Sequence, residues 1–316
     1  MTEREQGFDY VVVGAGTAGC VLAARLSEDR DTSVCLLEAG GRAGNVFASI
    51  PGTVGIALSV AELNWRFQSV PQPQLNDRRI PVPRGRGLGG SGIINGMVYV
   101  RGHPSDYDGW AQAGASGWSY REVLPYFTRS EHNENFPASA FHGRTGPLNL
   151  RRITRPNALN FAFIEAAKSL GVPARGDFNA ESTEGVGIRQ VQIRGGRRES
   201  TARAFLRPAM HRPNLTVLTH AQATRVVLEG KRAVGVEVRT PEGTRVIRAR
   251  REVVLSAGAI QSPQLLMLSG IGDGSHLYSV GINVQHELPG VGRNLHDHLA
   301  CPVQMSMKHS GSYGIS

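Results

Sequence analysis

Residues 8–38 read FDYVVVGAGTAGCVLAARLSEDRDTSVCLLE, and this stretch decides the fold. Phe8–Val13 is a short apolar run rich in β-branched residues, the pattern of a buried strand. Gly14, Gly16 and Gly19 come next at GxGxxG spacing, and Cys20–Leu26 continues as small and aliphatic residues of helical character. Ser33–Leu37 is a second buried strand, ending in the acid Glu38. Strand, glycine turn, helix and strand together make a βαβ unit of the length a dinucleotide site requires. In such a unit the first glycine makes the turn, the second lets the backbone approach a pyrophosphate, and the third lets the helix lie against the strand. The helix N-terminus offers unpaired N–H groups and the positive end of its dipole to phosphate. An acid at Glu38 accepts hydrogen bonds from ribose hydroxyls and disfavours a 2′-phosphate, which argues against NADP. This fingerprint alone leaves FAD and NAD both open.

Outward from it, Gly40–Pro83 reads as loop, and Arg84–Gly96 (RGRGLGGSGIING) is a second glycine cluster. Such a run forms no stable helix or strand unaided. It suits a loop pressed against a flat ligand, with N–H groups aimed at phosphate or at a ring edge. Tyr107–Arg129 carries helical patches, and Asn157–Leu170 predicts an amphipathic helix closed by Gly171. Ser200–Leu206 is a further helical piece. From Leu215 the pattern changes to strands: Thr216–Leu218, Ala223–Leu228, Ala233–Arg239 and Arg245–Ala249, with turns at Glu229-Gly230 and Pro241-Glu242-Gly243. Val253–Leu255 reads as one more buried strand, leading through Ser256-Ala257-Gly258 into a helix over Ile260–Leu268.

The bulk properties narrow the class. The chain has 316 residues, 40% hydrophobic and 19% charged, enough for one large core or two smaller ones. The net charge of +9 comes in short basic runs such as Arg197-Arg198 and Arg248–Arg251 that are not interleaved with aromatic residues, which argues against a nucleic-acid platform. Three cysteines, Cys20, Cys35 and Cys301, without a CxxC, argue for reduced thiols and against a metal site or a disulfide scaffold. The N-terminal residues lack a signal-peptide layout and no stretch is apolar for long enough to span a bilayer, so a cytoplasmic protein without stable membrane insertion is expected. His103, His132 and His142 stand alone in polar loops and read as surface residues; His296 and His298, in NLHDHL, read as loop anchors, with no third ligand cluster to make a metal site.

The motifs resemble the glucose–methanol–choline (GMC) oxidoreductase family over nearly the whole chain. The resemblance is carried by the fingerprint with LLEAG, by GRGLGGSGIINGMVYVRG and SDYDGW, by STARAFLRPA, by GAIQSPQLLMLSGIG and by LPGVGRNLHDHL, the last closest to the choline and alcohol dehydrogenase branches. It implies an α/β fold: a Rossmann-like FAD-binding domain with an inserted β-meander, plus an incomplete α+β substrate-binding domain. The division expected is 1–154 and 195–300 for the FAD domain, 155–194 for a substrate-domain segment, and 301–316 for the start of a truncated substrate domain, with Cys301–Lys308 as a strand. The resemblance assigns Gly14, Gly16, Thr17, Ala18 and Gly19 to the FAD pyrophosphate, and Glu38, with Ala39 beside it, to the adenosine ribose. It lays Arg86, Gly90, Ser91, Asn95, Gly96, Met97 and Val98 along the pyrophosphate, ribityl chain and flavin ring. It brings the Ala223 backbone to the adenine, and Ala257 and Gly258 close to the cofactor.

The chemistry implied by the resemblance is hydride transfer from an alcohol carbon to flavin N5, with electrons passing on to O₂ or to a quinone or dye. The family's proton-accepting His belongs to a segment expected beyond Ser316, so no catalytic residue is assigned here, and a non-catalytic FAD-binding fragment is the alternative reading. Two departures are visible. Gly92 stands where many members have Ser. Ile94 stands where some carry a His bonded covalently to the flavin, so a non-covalent FAD is expected.

Overall fold

The computed structural model describes residues 7–298 and Val303; the strand expected at Cys301–Lys308 lies outside the described residues, Val303 apart. The chain divides into two compact units. One holds the described residues through Gly96 together with Ser200–His296, and the other holds Met97–Glu199. The first break thus falls at Gly96, whereas the sequence reading drew it at residue 154, because short strands on both sides of that point pair into one sheet within the second unit.

The first unit is built on a six-stranded sheet. Its order is Leu215–Leu218, Val34–Leu37, Gly7–Val13, Gly243–Leu255, Arg232–Thr240, Gln222–Glu229. The first four strands run parallel, and the last two join antiparallel. Val34, Cys35, Leu36 and Leu37 are each at most 1% exposed, as expected for a parallel strand covered on both faces. One face packs Val11, Val13, Cys35, Leu37, Val236, Val238 and Ile247 into a single cluster. The helix Thr17–Leu26 buries Gly19, Cys20, Ala23 and Ala24, small residues that let it lie close.

The sequence reading separated Arg245–Ala249 from Val253–Leu255. The structure instead has one thirteen-residue strand, Gly243–Leu255. Its first part pairs antiparallel with Arg232–Thr240 and its second part pairs parallel with Gly7–Val13, so the meander and the dinucleotide sheet share a strand. The charged residues that looked like a break continue the strand with exposed side chains. Arg250 binds the Asp9 carboxylate and the Gly7 carbonyl, and Arg251 lies over the Tyr10 ring.

The second unit carries a four-stranded sheet, Val98–Tyr99, Gln190–Val191, Leu148–Arg152 and Glu131–Asn133, and the helices Pro104–Gln112, Tyr120–Ser130 and Ala158–Ser169. The last is the expected helix, capped by the Asn157 side chain, which accepts from the Leu159 N–H. None of its residues is buried, and Phe161 and Phe163 are 52% and 70% exposed, so its apolar side is not covered as an amphipathic helix requires. Among the described residues no helix is long and apolar enough to cross a membrane.

Candidate cofactor site

Gly14 ends the first strand at φ +93°, and a Cβ there would lie 2.8 Å from both the Ala257 Cα and the Ser256 carbonyl oxygen. The fingerprint turn is therefore pressed against the second strand-to-helix turn, Ser256–Gly258. Ser256 Oγ lies 2.9 Å from the carbonyl oxygens of Val13 and Gly14, which ties the two turns together. At Gly19 a Cβ would strike the Gly14 carbonyl oxygen. Gly16, by contrast, has only the Ser256 carbonyl oxygen within reach, at 3.8 Å, and no side chain caps the helix that begins at Thr17. Gly16, Thr17 and Ala18 at that uncapped end line a cavity, the setting in which a helix N-terminus binds phosphate.

The second glycine cluster closes on the first. Gly89 N–H donates to the Ala15 carbonyl at 2.7 Å, and Leu88 N–H donates to the Gly41 carbonyl at 3.1 Å. Gly90 adopts φ +52°, and a Cβ there would sit 2.6 Å from the Gly16 Cα. A Cβ on Gly40 would lie 2.5 Å from the Gly87 nitrogen. Side-chain-free positions far apart in the chain thus meet backbone to backbone, the packing that the clustering of glycine demands.

The two loops enclose a cavity of about 530 Å³. Gly14, Gly16, Thr17, Ala18, Glu38, Ala39, Gly90, Ser91, Ala223, Ala257 and Gly258 line it, all from the expected set. Six expected residues do not. Gly19 packs the helix on the strand. The Arg86 guanidinium lies 4.9 Å over the Trp65 ring. Asn95 and Gly96 are exposed. Met97 and Val98 open the second unit, where Val98 pairs with Val191. The sequence reading missed Trp65, Gln222, Ser256 and Gln264, which also line the cavity. Trp65 lies in the loop-rich stretch, where no periodicity marks it; its ring stacks on Phe67 at 5.8 Å. Ile94, 3% exposed, packs into an apolar cluster with Ala48, Ala57, Leu63 and Ile93.

Both described cysteines are buried, and burial pushes each thiol up to about 12, so neither is a nucleophile at neutral pH. The histidine expectation needs two corrections: His132 lies half-buried in the strand Glu131–Asn133, paired with Asn149, and not in a loop, and His142 is not a surface residue. His103 is exposed and caps the helix Pro104–Gln112, and His296 and His298 are exposed, but His142 is only 5% exposed. Its Nδ1 lies 3.0 Å from Glu131 Oε1 and its Nε2 lies 2.6 Å from Asp177 Oδ2. Glu131 also pairs with Arg101 at 2.6 Å. Burial alone would lower the His142 pKa, but the two carboxylates outweigh it and hold the imidazolium up to about 9. A polar flanking sequence concealed this, because its acidic partners come from positions 131 and 177.

Residues 8–300 match the GMC oxidoreductase family. Oxygen-dependent choline dehydrogenase of Sinorhizobium medicae is 47% identical over 291 residues, which is 92% of this chain and 53% of that protein. Among solved structures, pyridoxine 4-oxidase from Mesorbium loti superposes with a TM-score of 0.86 at 37% identity, covering 89% of this chain and 55% of that one. An FAD-dependent oxidoreductase from Chaetomium thermophilum gives 0.83 at 32% identity, with 90% and 51% covered. The chain spans about half the length of the curated relatives it matches. With its mostly parallel sheet, its paired glycine loops and a family match over nearly all its residues, the chain belongs to the GMC oxidoreductase family.

Proposed function

We propose that this chain binds FAD non-covalently and forms the cofactor-holding part of an enzyme that oxidises an alcohol. The observation that carries the reading is one cavity lined jointly by the fingerprint turn, Glu38, the second glycine loop and the Ser256–Gly258 turn. The residues fit the group. Gly16 leaves room at an uncapped helix N-terminus for a pyrophosphate, and Glu38 supplies an acceptor for ribose hydroxyls at the end of the second strand. Bound FAD would supply the hydride acceptor for the alcohol carbon.

The chain's own residues do the binding and orienting. The first N–H groups of the helix Thr17–Leu26 stand ready for phosphate oxygens without reorganisation. The Glu38 carboxylate repels a 2′-phosphate, which favours an unphosphorylated adenosine. Gly14, Gly90 and the Ser256–Gly258 turn set the backbone walls of the cavity at a separation that side chains would close. Ile94 is buried among aliphatic neighbours and has no atom able to bond the flavin, which supports non-covalent attachment. Asn95, Gly96, Met97 and Val98 keep their assignment to the flavin end as part of the proposal. No residue of this chain is assigned the proton-accepting role. The substrate is a small primary or secondary alcohol, the acceptor O₂ or a quinone or dye, and the compartment the cytoplasm.

The purified chain is expected to retain or take up flavin through gel filtration, and acid precipitation should leave the yellow colour in the supernatant. Colour remaining with the precipitate would contradict non-covalent attachment. Addition of alcohol and a dye acceptor then separates an active chain, whose flavin bleaches, from an FAD-binding fragment, whose flavin stays oxidised.

A further inference from the structure

Glu38 is 6% exposed, and its carboxylate is already engaged. Oε2 accepts from the Ala15 N–H at 3.0 Å, and Oε1 accepts from Gly40 N–H at 2.8 Å and Gly87 N–H at 3.0 Å. These donors belong to three different segments: the fingerprint turn, the loop after the second strand, and the second glycine cluster, 49 residues along the chain from Glu38. The main chain at Glu38 is fixed as well, since its N–H donates to Leu218 and its carbonyl accepts from Ala221. The acid therefore cannot shift to follow a ligand without breaking sheet-edge hydrogen bonds. A carboxylate offers about four acceptor sites, and three are taken within the protein.

We infer that Glu38 is a clasp that assembles the two glycine loops before any cofactor arrives, and that ribose recognition uses only the acceptor capacity left over. The reason for an acid here is the donor set. Three main-chain N–H groups converge on the two oxygens of one carboxylate, and an amide in its place would turn its NH₂ towards one of the donors. Glycine at 40 and 87 is what lets the loops come close enough to share one oxygen, because a Cβ on Gly40 would meet the Gly87 nitrogen. Glu38 is thus a positioning residue for the cavity. The clasp involves no ligand, so it stands or falls separately from the flavin reading.

The test is amide hydrogen exchange of the ¹⁵N-labelled, flavin-free full chain. In the wild type, Ala15, Gly40 and Gly87 should exchange slowly, while exposed Gly96 serves as the unprotected reference. Glu38→Ala should accelerate all three by about 10–100-fold, the loss of a hydrogen bond to a charged acceptor, with Val11 and Leu36 in the sheet unchanged. Glu38→Gln should act selectively. Its oxygen can serve Gly40 and Gly87, which keep their protection, while its NH₂ opposes Ala15, which loses it. If Gly87 in the flavin-free wild type exchanges as fast as Gly96, or if Glu38→Ala weakens FAD binding and leaves all three amides protected, the clasp is wrong. The wild-type measurement decides the matter even if Glu38→Ala fails to fold.

Discussion

Two buried acids, one in each unit, take their hydrogen bonds from different sources. Glu38, in the unit that carries the fingerprint, accepts from main-chain N–H groups. Glu131, fully buried in the unit of residues 97–199, takes its strong partners from side chains, Arg101 and His142, with Asp177 completing the row beyond His142. Main-chain donors do not titrate and are deleted only by proline, whereas a guanidinium and an imidazolium can be removed by many substitutions and the latter also titrates. The first arrangement fixes backbone geometry around a cavity. The second fixes a polar core in place of an apolar one.

The sharpest way to break this comparison is Glu131→Ala. It would leave Arg101 and His142 buried without their acid, at a cost of about 3–5 kcal/mol. In a Trp65→Phe background the fluorescence of Trp110 and Trp118 reports on that unit alone, and the denaturation midpoint should fall accordingly. A loss below about 1 kcal/mol, the range of an exposed pair, would show that the row contributes no net binding.

Alkaline pH should produce a smaller effect in the same unit. The folded His142 pKa is raised to about 9 from an ordinary 6.5, so its contribution is complete below 6.5 and is lost as pH rises through 9. The midpoint read by Trp110 and Trp118 should decline over that window, and His142→Gln should flatten the decline. In the other unit the hydrogen bonds of Asp9 to Arg250 and Ser33 hold its carboxyl well below the usual range. Its contribution is present above the ordinary carboxylate pKa and is lost as pH falls, so Trp65 should report acid sensitivity in place of alkaline sensitivity.

Glycine substitutions probe the same contrast on a finer scale. Gly90→Ala places a methyl group 2.6 Å from the Gly16 Cα at a left-handed φ, and should cost about 1–3 kcal/mol and weaken flavin binding. Gly109→Ala lies in the exposed helix Pro104–Gln112 with open space around it, and should stabilise by about 0.5–1 kcal/mol. Equal effects from the two would mean that the close approach of Gly90 to Gly16 carries no energetic weight.

Legibility in the sequence divides along the same line. The strand Gly7–Val13, its helix, the second strand and Glu38 were legible because βαβ periodicity is local. The second glycine cluster was legible because glycine at that density has few other uses. The pairing of Gly90 with Gly16 was implicit in composition alone, and the sharing of Glu38 between loops was not legible at all, since it depends on where separated segments land. The strand Gly243–Leu255 looked interrupted because the consecutive exposed charged residues Arg250, Arg251 and Glu252 within it resemble a turn. His142 looked like a surface residue because its acidic partners are remote in the chain. Trp65 was missed for want of any pattern around it.

Gel filtration of the chain after incubation with FAD or with NAD tests the central claim most directly. The account predicts that FAD co-elutes at one flavin per chain, that NAD does not displace it, and that Gly90→Ala elutes with less flavin. A correctly folded chain that emerges colourless from excess FAD would contradict the assignment of the paired glycine loops to a flavin nucleotide.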